Sequence, residues 1–201
     1  MNLAGERIGF GITGSHTTYH KVYPQIERLQ AAKAEVIPIV SYTVQQTDTR
    51  IGKAKDHLAT IEKLTNKQVI RTIPEAERLG PTEPLDCMVI APLTGNSLSK
   101  LANAFSDSPV LFAAKSTLRN QKPIILGIST NDALGLNGVN LMKLLATKNI
   151  YFIPFGQDDP YNKPNSLIAN MDYLLETVKF ALKGKQIQPI IIPYHDKNVV
   201  K

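Results

Sequence analysis

Four short stretches of this chain place small and polar residues directly after apolar runs: Gly11-Ile-Thr-Gly-Ser-His16, Pro92-Leu-Thr-Gly-Asn-Ser97, Ser129-Thr-Asn-Asp132 and Gly156-Gln-Asp-Asp159. Hydroxyl and amide side chains beside glycines suit anion binding, because a glycine lets backbone N–H groups come close to a ligand. The second stretch says most. It follows Leu85-Asp-Cys-Met-Val-Ile-Ala91, a run fit for a strand covered on both faces, and precedes Leu98, Leu101, Ala102 and Phe105 at helical spacing. Pro92 breaks that strand, and the helix restarting at Ser97 aims its free N–H groups beyond the strand's carboxyl end. A phosphate or carboxylate fits there. The residues equally allow Asn96 or Ser97 to cap the helix and nothing more.

In the first stretch Gly11 and Gly14 would admit a ligand to the backbone, with Thr13 and Ser15 as donors. From the other ends come Pro92, Thr94, Gly95, Asn96 and Ser97, then Ser129 and Asn131. The pattern Gly9-x-Gly11-x-x-Gly14 is no dinucleotide fingerprint, since it lies partly within a strand and lacks an acidic residue at the end of the second strand. Glycines serving only packing remain the other reading. His16 stands in the first loop as the catalytic acid–base candidate, with His20 and His57 behind it, and a solvated or capping role stands beside each. No metal site is expected.

The elements that must position these residues follow from periodicity. Strands over 6–13, 35–40, 85–91, 122–128 and 150–155 alternate with helices over about 18–34, 53–67, 74–79, 97–105, 109–119, 137–148 and 166–183. Such alternation predicts an α/β fold: a Rossmann-like, doubly wound parallel sheet in three α/β/α layers. Pro38 suggests that the second strand lies at an edge or carries a bulge. Residues 1–201 suit a single domain, ending in an apolar tail from about residue 187. The tail is expected to pack on a neighbouring copy, with its own domain as the alternative.

Composition narrows the classes. The single Cys87 lies in an apolar run, which rules out an internal disulfide framework and marks a core residue. No charged-apolar-small leader and no apolar run of about 18 residues occurs, so a cytoplasmic protein without a membrane span is expected. The net charge is +6, yet Lys and Arg are scattered and no aromatic-interleaved basic stripe is present, so nucleic acid is not an expected partner. The same charge suits an anionic cofactor or substrate.

Gly11-Ile-Thr-Gly-Ser15, the run from Ala91 to Asn103 and Lys122-Pro-Ile-Ile-Leu-Gly-Ile-Ser-Thr-Asn131 resemble three landmarks of the flavoproteins that include cysteine decarboxylases and flavin prenyltransferases. The middle landmark is the most specific, being similar to that family's Pro-Ala-Ser-Ala-Asn-Thr loop and following Lys-x-Ala-Asn helix. With Phe152-Ile-Pro-Phe-Gly-Gln-Asp-Asp-Pro160 included, the resemblance covers nearly the whole chain.

It implies a flavodoxin-like flavoprotein fold, an FMN cofactor, and a homo-oligomer of three or more copies. By match to the motif, Gly14, Ser15, Thr94 and Asn96 would face the FMN phosphate or ribityl chain. It further implies a partner chain resembling a nicotinamide-dependent dehydrogenase, carrying NAD(P), and a small dicarboxylate substrate, for which Lys100 and Arg119 are candidate cations.

The departures matter. The decarboxylases' catalytic His before the third strand is missing from Glu75-Ala-Glu-Arg-Leu-Gly-Pro-Thr82. Their Pro-x-Met-Asn-x-x-Met-Trp loop is replaced by Ile128-Ser-Thr-Asn-Asp-Ala-Leu134, which keeps only Asn131. Peptidyl-cysteine decarboxylation is therefore not expected. The leading class is one component of an enzyme, with an FMN-type site; the alternatives are a binding component that keeps the flavin fold without redox chemistry and stabilises its partner, and an FMN-dependent decarboxylase-like enzyme.

Overall fold

Ile8, Phe10 and Ile12 alternate with glycines along β1 (Arg7–Ile12), and the strand is buried on both faces. A strand of this kind needs helices above and below it, which is the setting of a parallel sheet. The computed structural model describes residues 2–194. In it, β1 lies between β2 (Glu35–Val40) and β3 (Cys87–Leu93), β4 (Ile124–Thr130) follows β3, and β5 (Ile150–Phe152) joins β4, all parallel. The order 2-1-3-4-5 is that of a doubly wound, flavodoxin-like sheet. On one face α1 (Tyr19–Ala31) packs against α3 (Ala54–Thr65) and α8 (Leu174–Ala181). On the other, α5 (Gly95–Ala102) meets α6 (Pro109–Arg119) and α7 (Gly138–Leu145). Short α2 (Tyr42–Gln46) and α4 (Ile73–Glu77) lie in the long connection from β2 to β3.

Pro38 sits on an edge strand as expected, and the main-chain groups of Pro38 and Val40 that face outward are paired by Ile70. Cys87 is fully buried, and that burial pushes its thiol well above the usual range, leaving it chemically inert. Among the described residues no helix is long and apolar enough to cross a membrane.

Three expectations need correction. Pro92 does not end its strand: β3 runs on to Leu93 through a cis Ala91–Pro92 bond, with a register shift against β4 between Ile90 and Leu93. Proline removes only a donor, and the Pro92 carbonyl is still used, accepting from Thr13 of the β1 loop. The span 166–183 is not one helix. It begins as β7 (Leu167–Ala169), passes through a 3-10 turn over Met171–Tyr173 and becomes helical only at Leu174. The cause is β4, whose last residues extend past the short β5: β7 pairs antiparallel with Ser129 and Thr130, and β6 (Phe155–Gly156) pairs with β7 in turn.

The apolar tail also departs from expectation. It lies across its own chain, where Phe155 donates to Ile190 O at 3.0 Å and Ile192 donates to Phe155 O at 2.8 Å, completing an edge that β6 would leave open. The tail's residues 195–201 lie outside the described residues.

Candidate functional site

From β1 the chain first moves outward to β2 and then returns to the other side as β3. The loops leaving β1 and β3 diverge, opening a crevice at their carboxyl ends, the place where open α/β sheets hold ligands. Thr13 closes the floor of this crevice. Its side chain, 1% exposed, donates to Pro92 O at 2.7 Å and accepts the Thr94 N–H at 3.0 Å. The expectation that Thr13 donates to a ligand is corrected: its proton is used to tie the β1 and β3 ends together. Gly11 is likewise a packing residue, because a Cβ there would lie 2.8 Å from Val110 Cγ1 and 3.0 Å from Met88 Cε.

Above this floor lies a cavity of about 300 Å³ whose wall includes Gly14, Ser41, Thr94, Asn96, Ser97 and Lys100. The cap of α5 is Thr94, whose Oγ1 accepts the Ser97 N–H at 3.3 Å; neither Asn96 nor Ser97 caps it. The Thr94 carbonyl takes the Leu98 N–H at 2.8 Å, which leaves the N–H groups of Gly95 and Asn96 without a partner among the described residues. The Asn96 side chain is exposed and unbonded among the same residues, and the Ser97 hydroxyl accepts from Thr94 at 3.2 Å while keeping its own proton free. Lys100 forms an ion pair with Asp107 at 2.6 Å at the same cavity.

Sequence reasoning missed Ser41. It follows directly on β2, is 8% exposed, and its buried Oγ has no hydrogen-bond partner among the described residues. The signal was available, since Ser41 ends a strand as Ser129 does, but it read as the start of a polar connection.

A different set of predicted residues meets on the other side of the first loop. Ser15, Ser129 and Asn131 line a cavity of about 160 Å³. There the hydroxyls of Ser15, Thr18 and Ser129 form a triangle with sides of 3.0, 2.9 and 2.9 Å. Gly95 belongs to the framework between the two cavities: a Cβ there would lie 2.6 Å from both Asp132 Oδ1 and Thr130 Oγ1. Only glycine lets the network of Thr130, Asp132 and Asn137 approach so closely. Pro92 contributes its carbonyl to the Thr13 clamp and is absent from both linings.

His16 does not reach either cavity. Its ring turns inward against Tyr19 and His57, with centroids 5.1 and 5.8 Å away, which corrects its placement as an acid–base group over the ligand. His20 and Lys21 instead line a larger cavity of about 550 Å³ between α1, β6, β7 and the tail, to which none of the cofactor-site candidates contributes. Arg119 ends α6 beside Gly80, one turn before β4 begins, at the edge of the sheet opposite the crevice.

The donors around the 300 Å³ cavity fit a phosphate ester. An orphaned hydroxyl, an unbonded amide and a free N–H group at a helix start, beside the Lys100–Asp107 ion pair, match an anion that accepts several hydrogen bonds. We expect Thr94→Ala to cost about 1 kcal/mol of stability through cap loss. Asn96→Ala should leave stability unchanged and weaken FMN binding. Thermal melts beside FMN titrations separate these outcomes, and a drop in melting temperature for Asn96→Ala with unaltered affinity would contradict the assignment.

The chain belongs to the flavoprotein family, whose sequence profile matches residues 1–178. It is 60% identical to the B-subunit of dipicolinate synthase from Bacillus subtilis (strain 168) over 197 residues, 98% of each chain. The crystal structure of the same B-subunit from Bacillus halodurans C superposes with a TM-score of 0.90 at 58% identity, covering 97% of this chain and 100% of that one. The FMN-dependent cysteine decarboxylase SpaF shares the fold at 18% identity, with a TM-score of 0.62 over 90% of this chain and 97% of its own.

Proposed function

We propose that this chain is the flavin-fold component of a dipicolinate synthase. With a dehydrogenase-like partner, the synthase's A-subunit, which carries NAD(P), it forms pyridine-2,6-dicarboxylate from a dihydro- or hydroxytetrahydro-dipicolinate, in the mother-cell cytoplasm of a sporulating bacterium. The observation that carries this reading is the 60% identity along 98% of both chains to a dipicolinate synthase of the B type.

In this reading the 300 Å³ cavity takes the FMN phosphate. Ser41 Oγ, the Asn96 amide and the Asn96 N–H donate to it, beside the Lys100–Asp107 ion pair. Gly14 keeps the first loop thin enough for the cofactor to pass, and Ser15, Ser129 and Asn131 meet the remainder of the flavin from the smaller cavity. When bound, FMN supplies a two-electron acceptor for oxidation of a cyclic dicarboxylate. Exposed Leu134 and Met142 line one cavity with the tail's exposed Ile191, and an apolar patch of this kind is normally covered, which supports a homo-oligomer; three or more copies follow from the family resemblance.

The withdrawal of His16 favours a second reading. The titratable side chains lining the 300 Å³ cavity are Tyr42 and the paired Lys100 and Asp107, so the chemistry would fall to the partner and this chain would hold the assembly together. Full-length protein mixed with its dehydrogenase-like partner, with and without FMN, distinguishes the two. The first reading expects flavin absorbance that survives gel filtration and synthase activity that requires FMN. A colourless protein that supports full activity without FMN would reject it.

A further inference from the structure

We propose that His16 and His57 form a protonation-sensitive latch that holds the two walls of the crevice together and loosens when the His57 imidazole gains a proton. The inference rests on the proposed use of the crevice for flavin. Its geometry stands independently.

His16 lies on the 3-10 turn over His16–Thr18 and is continuous with Gly14 and Ser15, one wall of the crevice. His57 lies in the first turn of α3, which packs on α2 just beyond Ser41, the other wall. The two rings therefore join segments 41 residues apart in sequence, with centroids separated by 5.8 Å. They are 9% and 8% exposed, and the Nε2 atom of each is buried without a hydrogen-bond partner among the described residues. His57 Nδ1 is 3.1 Å from the Tyr23 hydroxyl. Tyr19 stands edge-on to His57 at 4.9 Å and donates its hydroxyl to Thr13 O at 3.1 Å, so the cluster reaches the floor of the crevice.

While both imidazoles are neutral, this is an aromatic cluster that tolerates burial. A proton on His57 creates a buried cation whose Nε2–H has no acceptor among the described residues. The groups facing His57 offer little compensation. From α1 come Tyr19 and Tyr23, both held in the neutral form by burial; from the 3-10 turn comes His16; from α3 itself comes Asp56. Asp56 is the only carboxylate among them, and its pull is weaker than burial and the approach of His16, which together hold the His57 pKa below its ordinary 6.5. By linkage, the unfolded or opened chain binds more protons than the closed one below pH 6.5, so the latch holds fully above that value and weakens as pH falls through the lowered pKa.

The test is amide hydrogen exchange at Gly14–Thr18 and Ser41–Thr43 in the full chain, from about pH 7.5 to about pH 5, corrected for intrinsic exchange. Wild type is expected to lose protection at both segments across that range. His57→Gln keeps a polar partner for Tyr23 and never charges, so its corrected protection should stay flat. Equal profiles for the two proteins, or a flat wild-type profile, would overturn the latch. If His57→Gln fails to fold, NMR titration of the wild-type imidazoles decides: His57 titrating at or above 6.5 overturns the proposal, and below 6.5 supports it. In parallel, FMN affinity should follow the same profile. Failure to bind FMN at any pH would reject the flavin reading while exchange still decides the latch.

Discussion

Replacing Thr13 by valine is expected to destabilise the chain by about 1–2 kcal/mol, the sum of a lost hydrogen bond and a newly orphaned, partly buried N–H. Valine keeps the shape of threonine and removes both functions of its hydroxyl. The 2.7 Å bond to Pro92 O disappears, and the Thr94 N–H, held at 3.0 Å, loses its acceptor. Pro92 O retains the Thr13 N–H at 3.3 Å, so the sheet itself should survive. Freed from the clamp, Thr94 no longer fixes where α5 begins, so FMN affinity should fall together with stability. Urea denaturation checks the first effect. A loss under about 0.5 kcal/mol, the range of an ordinary surface change, would show that the clamp does not hold the crevice.

Ser41→Ala is expected to act in the opposite sense on stability. The buried Ser41 Oγ is unpartnered among the described residues, so deleting it removes a desolvated polar atom, and the melting temperature should stay level or rise. The same deletion removes a hydroxyl proposed to donate to the phosphate. Hydrogen bonds to charged groups contribute about 1.5–3 kcal/mol, so FMN affinity should drop by about 10- to 150-fold. Isothermal titration beside a thermal melt reads both signs at once. Unchanged affinity with raised stability would make Ser41 a structural irregularity and remove it from the site.

The frame of the molecule was legible because long apolar runs carry strong periodicity. The alternation of strands and helices led to the doubly wound sheet, and the polar stretches after β1, β3 and β4 do border the cavities at the sheet's carboxyl edge. What was illegible is local. Leu167–Ala169 is a three-residue strand, too short for a period-two pattern to stand out from a following helix, and its pairing with Ser129 and Thr130 depends on β5 being short. Pro92 reads as a stop, yet a strand needs only its carbonyl there.

Loop residues adjacent in sequence also separate in space. Gly14 and Ser15 border different cavities, and Thr13 borders neither, because a strand end turns successive side chains to different sides. His16 was placed by its neighbours in sequence. Its partner in space, His57, lies across a connection whose packing no local pattern encodes.

The central claim is that the crevice between the ends of β1, β2 and β3 recognises a phosphate on a flavin. Titrating the purified full chain with FMN and with riboflavin, which differ only in that phosphate, tests it most directly. The account predicts that FMN binds at least about 100-fold more tightly, the worth of two charge-assisted hydrogen bonds at the low end of their range. Equal affinities for the two flavins, or none for either, would contradict it.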